Sequence, residues 1–430
     1  MPPALLAPLR RLGRMLLAVG PGIFCIGYTI GTGSVTTMAS SGSRFGMELL
    51  WDLVLSCLFA WVLMEAYGRF ALVTGRTTIH AFRTQLPGGP VLAVLTLVGV
   101  VMGQWCCLSG LVGLSSAALY EGLRLFVPGL PAESYYGVLL IAAAVLALMY
   151  GLLWVGRYSF FEKVLVVFVT LMGISFLISA FIVLPSPGEI AAGLVPSIPR
   201  DDEGHGMFIL VAALVGTTMA APTFVVRPLL LAGKGWTRAN LRDQARDSFV
   251  AALLMFLISG AIMACATAAL FHRGMAIERV LDMVQTLGPV ASKYAVAIFL
   301  VGTVSAGLSS IFPIAMVAPL LVADYRAGVL DTRSKLFRTL TAVACLIGLT
   351  VPVLGSNPIA AQIATQVAQV FVLPLVVGGI LVLVNRRELM GRHKAGPLLN
   401  AALAAAMGFS LVMSYFAVLG LIERLLEWFS

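Results

Sequence analysis

Oxygen donors gather in two apolar stretches of this sequence, and they set the chemistry open to it. Thr32, Ser34, Thr36 and Thr37 lie in one stretch, and Thr217, Thr218 and Thr223 in the other. Ser305, Ser309 and Ser310, then Gln366 and Gln369, add more in two later apolar stretches. Hydroxyl, amide and carbonyl oxygens are hard or neutral ligands. They suit Mg²⁺, Ca²⁺ or Mn²⁺, whereas thiolate and thioether ligands select later transition metals. The same donors suit a small neutral or zwitterionic solute. Softer or titratable groups are badly placed for a site. Cys106 and Cys107 are adjacent, so on a helix they project about 100° apart and do not chelate one ion together. His80, His205, His272 and His393 are scattered through loops and helix ends. No Ser/His/Asp arrangement and no nucleotide-binding loop occurs, so the sequence points away from an enzyme or a primary pump and implies no cofactor.

These donors must be held by membrane helices. The chain has 430 residues, of which 60% are hydrophobic and only 11% charged. Its mean hydropathy of +1.00 leaves too little polar surface to cover a water-facing globule. A spanning helix needs roughly 20 apolar residues. Eleven such spans can be read, at 16–40, 47–70, 90–115, 134–154, 162–184, 207–231, 247–271, 289–322, 336–354, 359–384 and 398–426. The connections are short. The longest, 185–206, is rich in Pro and Gly and carries Asp201, Asp202 and Glu203. With the N-terminus in the cytoplasm, 20 basic residues fall on the inner side and 7 on the outer, and Arg227 falls within a span. This bias follows the positive-inside rule and places the C-terminus outside. The net charge of +9 is thus topological. Arg10, Arg11 and Arg14 precede an apolar run as in a signal peptide, but no cleavage motif follows, so the segment is expected to stay. The six cysteines fall in apolar runs and are expected to be free.

Two spans are punctuated at mid-membrane. The first carries Gly31-Thr32-Gly33-Ser34, and each glycine destabilises a helix by about 1 kcal/mol. The sixth carries Ala220-Ala221-Pro222-Thr223, where the proline removes a backbone hydrogen bond and clashes with the preceding turn. Interrupted helices five spans apart are the mark of an inverted-repeat transporter, in which unwound segments expose carbonyls and half-helix dipoles at the bilayer midplane. The expected architecture is therefore an all-α polytopic membrane protein. Spans one to five (16–184) and six to ten (207–384) would form a 5+5 inverted repeat, and an eleventh helix (398–426) would be an addition. Gly31, Thr32, Gly33, Ser34, Thr217, Ala220, Ala221, Pro222, Thr223 and Gln369 are the expected substrate-binding residues.

Several motifs are similar to those of a known family. Gly20-Pro21-Gly22, Tyr28, Gly33 and the run Ala39–Trp51 resemble the opening of the natural resistance-associated macrophage protein (Nramp) family of divalent-metal transporters. Glu65, Arg69, Thr74-Gly75, Leu373-Pro374 and Arg386–Gly391 continue the likeness over most of the chain. The resemblance implies eleven helices in the amino acid–polyamine–cation fold. It also implies metal-binding Asp and Asn residues at the first break, a Met and a His at the second, a further His one turn later, and acidic residues for proton movement in span three. Here the first break reads Gly31, Thr32, Gly33, Ser34 and the second reads Ala220, Ala221, Pro222, Thr223. The later histidine is Arg227, and Gly103–Gly110 holds no acid. The chain thus resembles a divergent branch that lacks the family's metal and proton residues.

Two charges within spans complete the candidate set, because intramembrane charge is functional by default. Glu65 is read as a helix-end partner of Arg69 at i+4, or as a gate. Arg227 is read as a fixed counter-charge facing the inner vestibule, where it would repel a dication, or as a snorkelling side chain. Glu48 and Asp52 are placed at the outer mouth, drawing in cations or solvated. The function expected is alternating-access transport of a divalent cation (Mn/Mg/Fe class) across the inner membrane, with proton coupling weak or absent. Transport of a small organic solute and a non-transporting sensor are the alternatives. The implied partners are the substrate and the lipid bilayer, with no nucleic acid.

Overall fold

The computed structural model describes residues 20–127, 129–131, 134–155, 158–182, 185–199, 206–277, 293–326 and 333–429. Arg10, Arg11, Arg14, Arg157, Arg200, Asp201, Asp202, Glu203, His205, Arg279 and the starts of the first and eighth expected spans lie outside these residues. Every regular element described is helical. In chain order they are α1 (Gly20–Thr29), α2 (Thr32–Phe45), α3 (Leu50–Thr74), α4 (Thr78–Gln85), α5 (Gly89–Phe126), α6 (Tyr135–Val155), α7 (Tyr158–Ile182) and α8 (Pro187–Gly193). Then follow α9 (Met207–Thr218), α10 (Ala221–Gly233), α11 (Leu241–Ala269), α12 (Lys293–Tyr325), α13 (Lys335–Gly348), α14 (Thr350–Leu354), α15 (Pro358–Val370), α16 (Leu373–Asn385), α17 (Arg387–Met390) and α18 (Pro397–Phe429). Among the described residues, nine helical segments are long and apolar enough to cross a membrane.

Burial sorts these helices into centre and periphery. The apolar window of α9–α10 is wholly buried, whereas that of α6 is only 22% buried and that of α18 only 28%. The peripheral helices present apolar side chains such as Leu140, Leu148, Leu411 and Tyr415 outward, as lipid contact requires. The centre is held by close backbone approach. A methyl group on Gly216 of α9 would overlap the Gln366 carbonyl of α15, and one on Gly42 of α2 would overlap the Met263 carbonyl of α11. Small residues at such crossings let membrane helices pack tightly. Gly216→Ala is therefore expected to prise α9 from α15 and to abolish monodisperse protein on size exclusion, whereas Gly408→Ala, with open space around it, is expected to be silent.

The two expected breaks are present but lie earlier in the chain. α1 stops at Thr29, and Gly31 is extended at φ −96°, ψ −167°. Thr32, Gly33 and Ser34 already form the first turn of α2. First-turn N–H groups need no partner within the helix, so glycine costs little there. The second break is at Met219–Ala220, with φ/ψ of −98°/40° and −55°/118°. Pro222 sits in the opening turn of α10, where a fixed φ and a missing N–H suit a helix start. Ala221, Pro222 and Thr223 are thus helical and not unwound. A further interruption at Phe371–Val372 divides the tenth expected span. Pro374 causes it, because its ring excludes the Val370 carbonyl from a helical bond. Ser414 of α18 donates to that carbonyl instead, at 3.3 Å.

Two ends of the bundle are fastened by polar contacts. At one, Asp324 of α12 accepts from the Thr77 hydroxyl and from the Ile79 and His80 backbone N–H groups, capping α4 with a negative charge. At the other, Trp51 Nε1 donates to the Ser197 carbonyl at 2.9 Å, and Glu189 of α8 meets His272 at 2.6 Å. The His272 hydrogen bond, then the Ser186 backbone N–H, hold the Glu189 carboxyl below the usual carboxylate range. A depressed acid contributes its clasp above its unfolded value and loses it as pH falls through the folded one. Spin labels on α8 and beside His272 are expected to separate only on acidification below that value, and His272→Gln should move the change to higher pH.

Candidate functional site

The ends of α1, α2, α9 and α10 meet α5, α12 and α15 around a small cavity. Its clear interior has room for about one water molecule or one ion. Of the residues expected from sequence, Gly31, Gly33, Thr217, Ala220 and Gln369 line it, with Ser310 and Gln366. Ser34, Ala221, Pro222 and Thr223 do not. Ser34 Oγ meets Ser259 Oγ at 3.2 Å, and Thr223 Oγ1 meets Thr29 Oγ1 at 3.3 Å. Thr32 opens α2, and its side chain lies outside the described atoms. Ser309 returns its hydroxyl to the Ala306 carbonyl of its own helix, at 2.9 Å.

The break in the first span is completed by side chains from other helices. Ser310 Oγ donates to the Gly27 carbonyl at 2.6 Å, and Thr217 Oγ1 donates to the Thr29 carbonyl at 3.4 Å. Both carbonyls belong to the last turn of α1, whose acceptors have lost their helical partners. Ser310 also takes the space beside Gly31, where a Cβ would stand 2.5 Å from its Oγ. Gln366 fills the corresponding space beside Gly33. Ligand-type atoms are therefore supplied here by α12 and α15 in place of side chains at the break.

A chain of amides forms the opposite wall. Gln104 Nε2 donates to Gln369 Oε1 at 2.8 Å, Gln369 Nε2 to Gln366 Oε1 at 3.1 Å, and Gln366 Nε2 to Gln362 Oε1 at 3.3 Å. Gln362 Nε2 closes the chain on the Cys107 carbonyl at 2.9 Å. A primary amide both donates and accepts, so a row of buried amides can satisfy itself without charge. The spacing of Gln362, Gln366 and Gln369 on one face of an apolar helix was the available signal for this wall. Gln104, Cys107 and Thr29 were not expected at the site from sequence. Among the described residues, no group of three or more His, Cys, Asp or Glu could hold a metal ion. The cavity offers hydroxyl, amide and carbonyl oxygens and carries no formal charge.

The charged candidates lie elsewhere, and two expectations need correction. Arg227 neither snorkels nor faces a vestibule, for its side chain is wholly buried. Its Nη2 meets Asp247 Oδ2 at 2.8 Å and Ser248 Oγ at 2.9 Å, and Nη1 lies 3.5 Å from Cys25 Sγ. Asp247 Oδ1 accepts from the Gly22 backbone N–H at 3.1 Å, so one ion pair joins α1, α10 and α11. A buried guanidinium needs such a partner, and its charge is neutralised and would not repel a dication. Asp52 is also misplaced by sequence: it is wholly buried, and only Glu48 is exposed. Glu65 pairs with Arg69 one turn along, at 2.8 Å, away from the cavity.

Comparison with known proteins agrees with this architecture. The family model described as natural resistance-associated macrophage protein-like matches residues 22–420. The divalent metal cation transporter MntH of Brucella suis is 25% identical over 425 residues, covering 94% of this chain and 89% of that protein. A crystal structure of a mutant Eremococcus coleocola manganese transporter superposes with a TM-score of 0.73 at 16% identity, covering 97% of this chain and 88% of that one. MhsT, solved in complex with L-phenylalanine, superposes with a TM-score of 0.65 at 14% identity, covering 94% of this chain and 98% of that one. The expected fold class, a helical transporter fold with broken first and sixth spans, is the fold these structures share with the chain.

Proposed function

Because the chain belongs to the Nramp family, we propose that it carries a divalent metal cation across a cell membrane by alternating access around the breaks at Ile30–Gly31 and Met219–Ala220. The observation that carries this reading is the cavity between those breaks, with space for one ion and polar lining groups that are hydroxyl, amide and carbonyl apart from the Cys107 thiol, which is engaged by Gln366 Nε2. Such ligands favour Mn²⁺ and Mg²⁺ over softer ions. The repeats 16–184 and 207–384 would rock against each other, with 398–426 outside them. The buried pair Arg227–Asp247 would hold the half-helices α1 and α10 together while that side is shut. Glu65 and Arg69 would fasten one end of α3. With no carboxylate lining the cavity, proton movement is not tied stoichiometrically to the metal. The charge bias supports an N-terminus in the cytoplasm and a C-terminus outside, in a protein of the inner membrane.

A second reading rests on the amide wall, which also suits a small neutral or zwitterionic solute. The space between the breaks is too small for one as the cavity stands. Uptake into proteoliposomes separates the two. Mn²⁺, Mg²⁺ and Ca²⁺ are to be assayed beside a panel of amino acids, and uptake of Mn²⁺ or Mg²⁺ without lumen acidification is expected. Uptake of an amino acid, with none of any cation at millimolar concentration, would replace the metal reading. Gln369→Leu, which breaks the amide chain, is expected to lower cation uptake at least tenfold, about 1.4 kcal/mol.

A further inference from the structure

We propose that Asp52 is a proton-binding site separate from the cavity, and that its carboxyl carries a proton while it is buried. Asp52 lies in the first turn of α3 with its side chain wholly buried. Among the described residues, no N–H or O–H reaches either of its oxygens. Ser56, one turn along on the same helix face, is also buried with its hydroxyl unpartnered. An ionised carboxylate in such surroundings is strongly disfavoured, because nothing replaces its lost hydration. The neutral acid needs no counter-charge, and its O–H becomes a donor.

Arg242, Asp243 and Arg246 open α11 beside Gln244, which donates to the Met64 carbonyl in the second half of α3. Arg44, which ends α2, has an interaction of its own. Glu189 of α8 is held by His272, Arg227 of α10 by Asp247 of α11, and Glu65 by Arg69 at the far end of α3. Glu423 and Arg424 of α18 are exposed. Cys57 and Cys265 are buried thiols. A metal ion is a poor occupant, since Ca²⁺ takes six to eight oxygens and Mg²⁺ an octahedron, whereas a proton needs one. Trp51 donates to Ser197 at 2.9 Å, and Gly193 is packed against the Met47 carbonyl, so the 193–199 segment is anchored just ahead of Asp52 in the chain. When water reaches this end of α3, it can take the proton and leave the carboxylate; when water is excluded again, an O–H bond re-forms at Asp52 with a proton from water or buffer acid.

Infrared difference spectroscopy tests this on the full-length protein in lipid nanodiscs. At neutral pH, wild type minus Asp52→Asn is expected to show a protonated-carboxyl C=O band that shifts in D₂O. Ser56→Ala should move that band without removing it. Carboxylate stretching bands in the difference instead, or a C=O band abolished by Na⁺ or K⁺ at fixed pH, would overturn the proposal. Should the Asn variant not fold, acid-to-alkaline titration of the wild type with site-specific ¹³C-Asp labelling reads the same group. This readout does not use transport, so it stands or falls apart from the metal reading.

Discussion

Arg227→Leu is expected to destabilise the protein by about 3–5 kcal/mol, the usual cost of leaving a buried charge without its partner. The variant keeps the apolar bulk of the side chain and strands Asp247, whose other oxygen then holds only the Gly22 N–H. Reversible unfolding in mixed micelles measures the loss. The double variant Arg227→Leu with Asp247→Leu is expected to regain most of it, because replacing a buried pair with apolar residues is often neutral. The pair is also imperfect, since Arg227 Nε has no partner among the described residues. If stability returns in the double variant while uptake remains low, the pair serves the closing of this side and not the fold. If the single variant is as stable as wild type, the buried pair does not fasten α1, α10 and α11.

The second large effect concerns the missing acid. Gly31→Asp alone should fold poorly or bind weakly, because a Cβ there stands 2.5 Å from Ser310 Oγ and 3.0 Å from its Cβ. Combined with Ser310→Gly, which clears that space, it places a carboxylate at the break. Opposite unit charges 4 Å apart attract by about 4 kcal/mol at an effective dielectric of 20. Mn²⁺ affinity by calorimetry is therefore expected to rise at least ~100-fold over wild type. Unchanged affinity in a folded double variant would mean that the ion does not sit between the breaks. Ser310→Gly alone is the control, and it removes the donor to Gly27 without adding charge.

The sequence made the fold class readable because its signals are local. Apolar run length, Arg and Lys bias and paired Gly and Pro interruptions all survive without knowledge of contacts. The breaks were misplaced by a residue or more because Gly33 and Pro222 are tolerated in a half-helix's first turn, so they mark its start and not the unwound residues before it. Pro374 carried the same kind of signal for the third interruption. Contacts between helices were the unreadable part. Asp247 lies 20 residues from Arg227 on the next helix, and Gln104 lies 265 residues from Gln369. Asp52 is wholly buried at the start of its helix, and nothing local in the sequence marks that burial.

The uncharged lining of the cavity has an electrical consequence. A carrier that meets a dication with carboxylates returns empty with negative charge, and part of the voltage acts on that return step. Under the proposed transport the unloaded cavity here is neutral, so the voltage would act on the loaded passage alone. An inward dication gains about 4.6 kcal/mol per 100 mV, from about 2.3 for each charge. An inside-negative potential would by itself drive accumulation, without any ion gradient spent in exchange. Uptake should then stop when the potential is clamped to zero by K⁺ and valinomycin at equal metal concentrations.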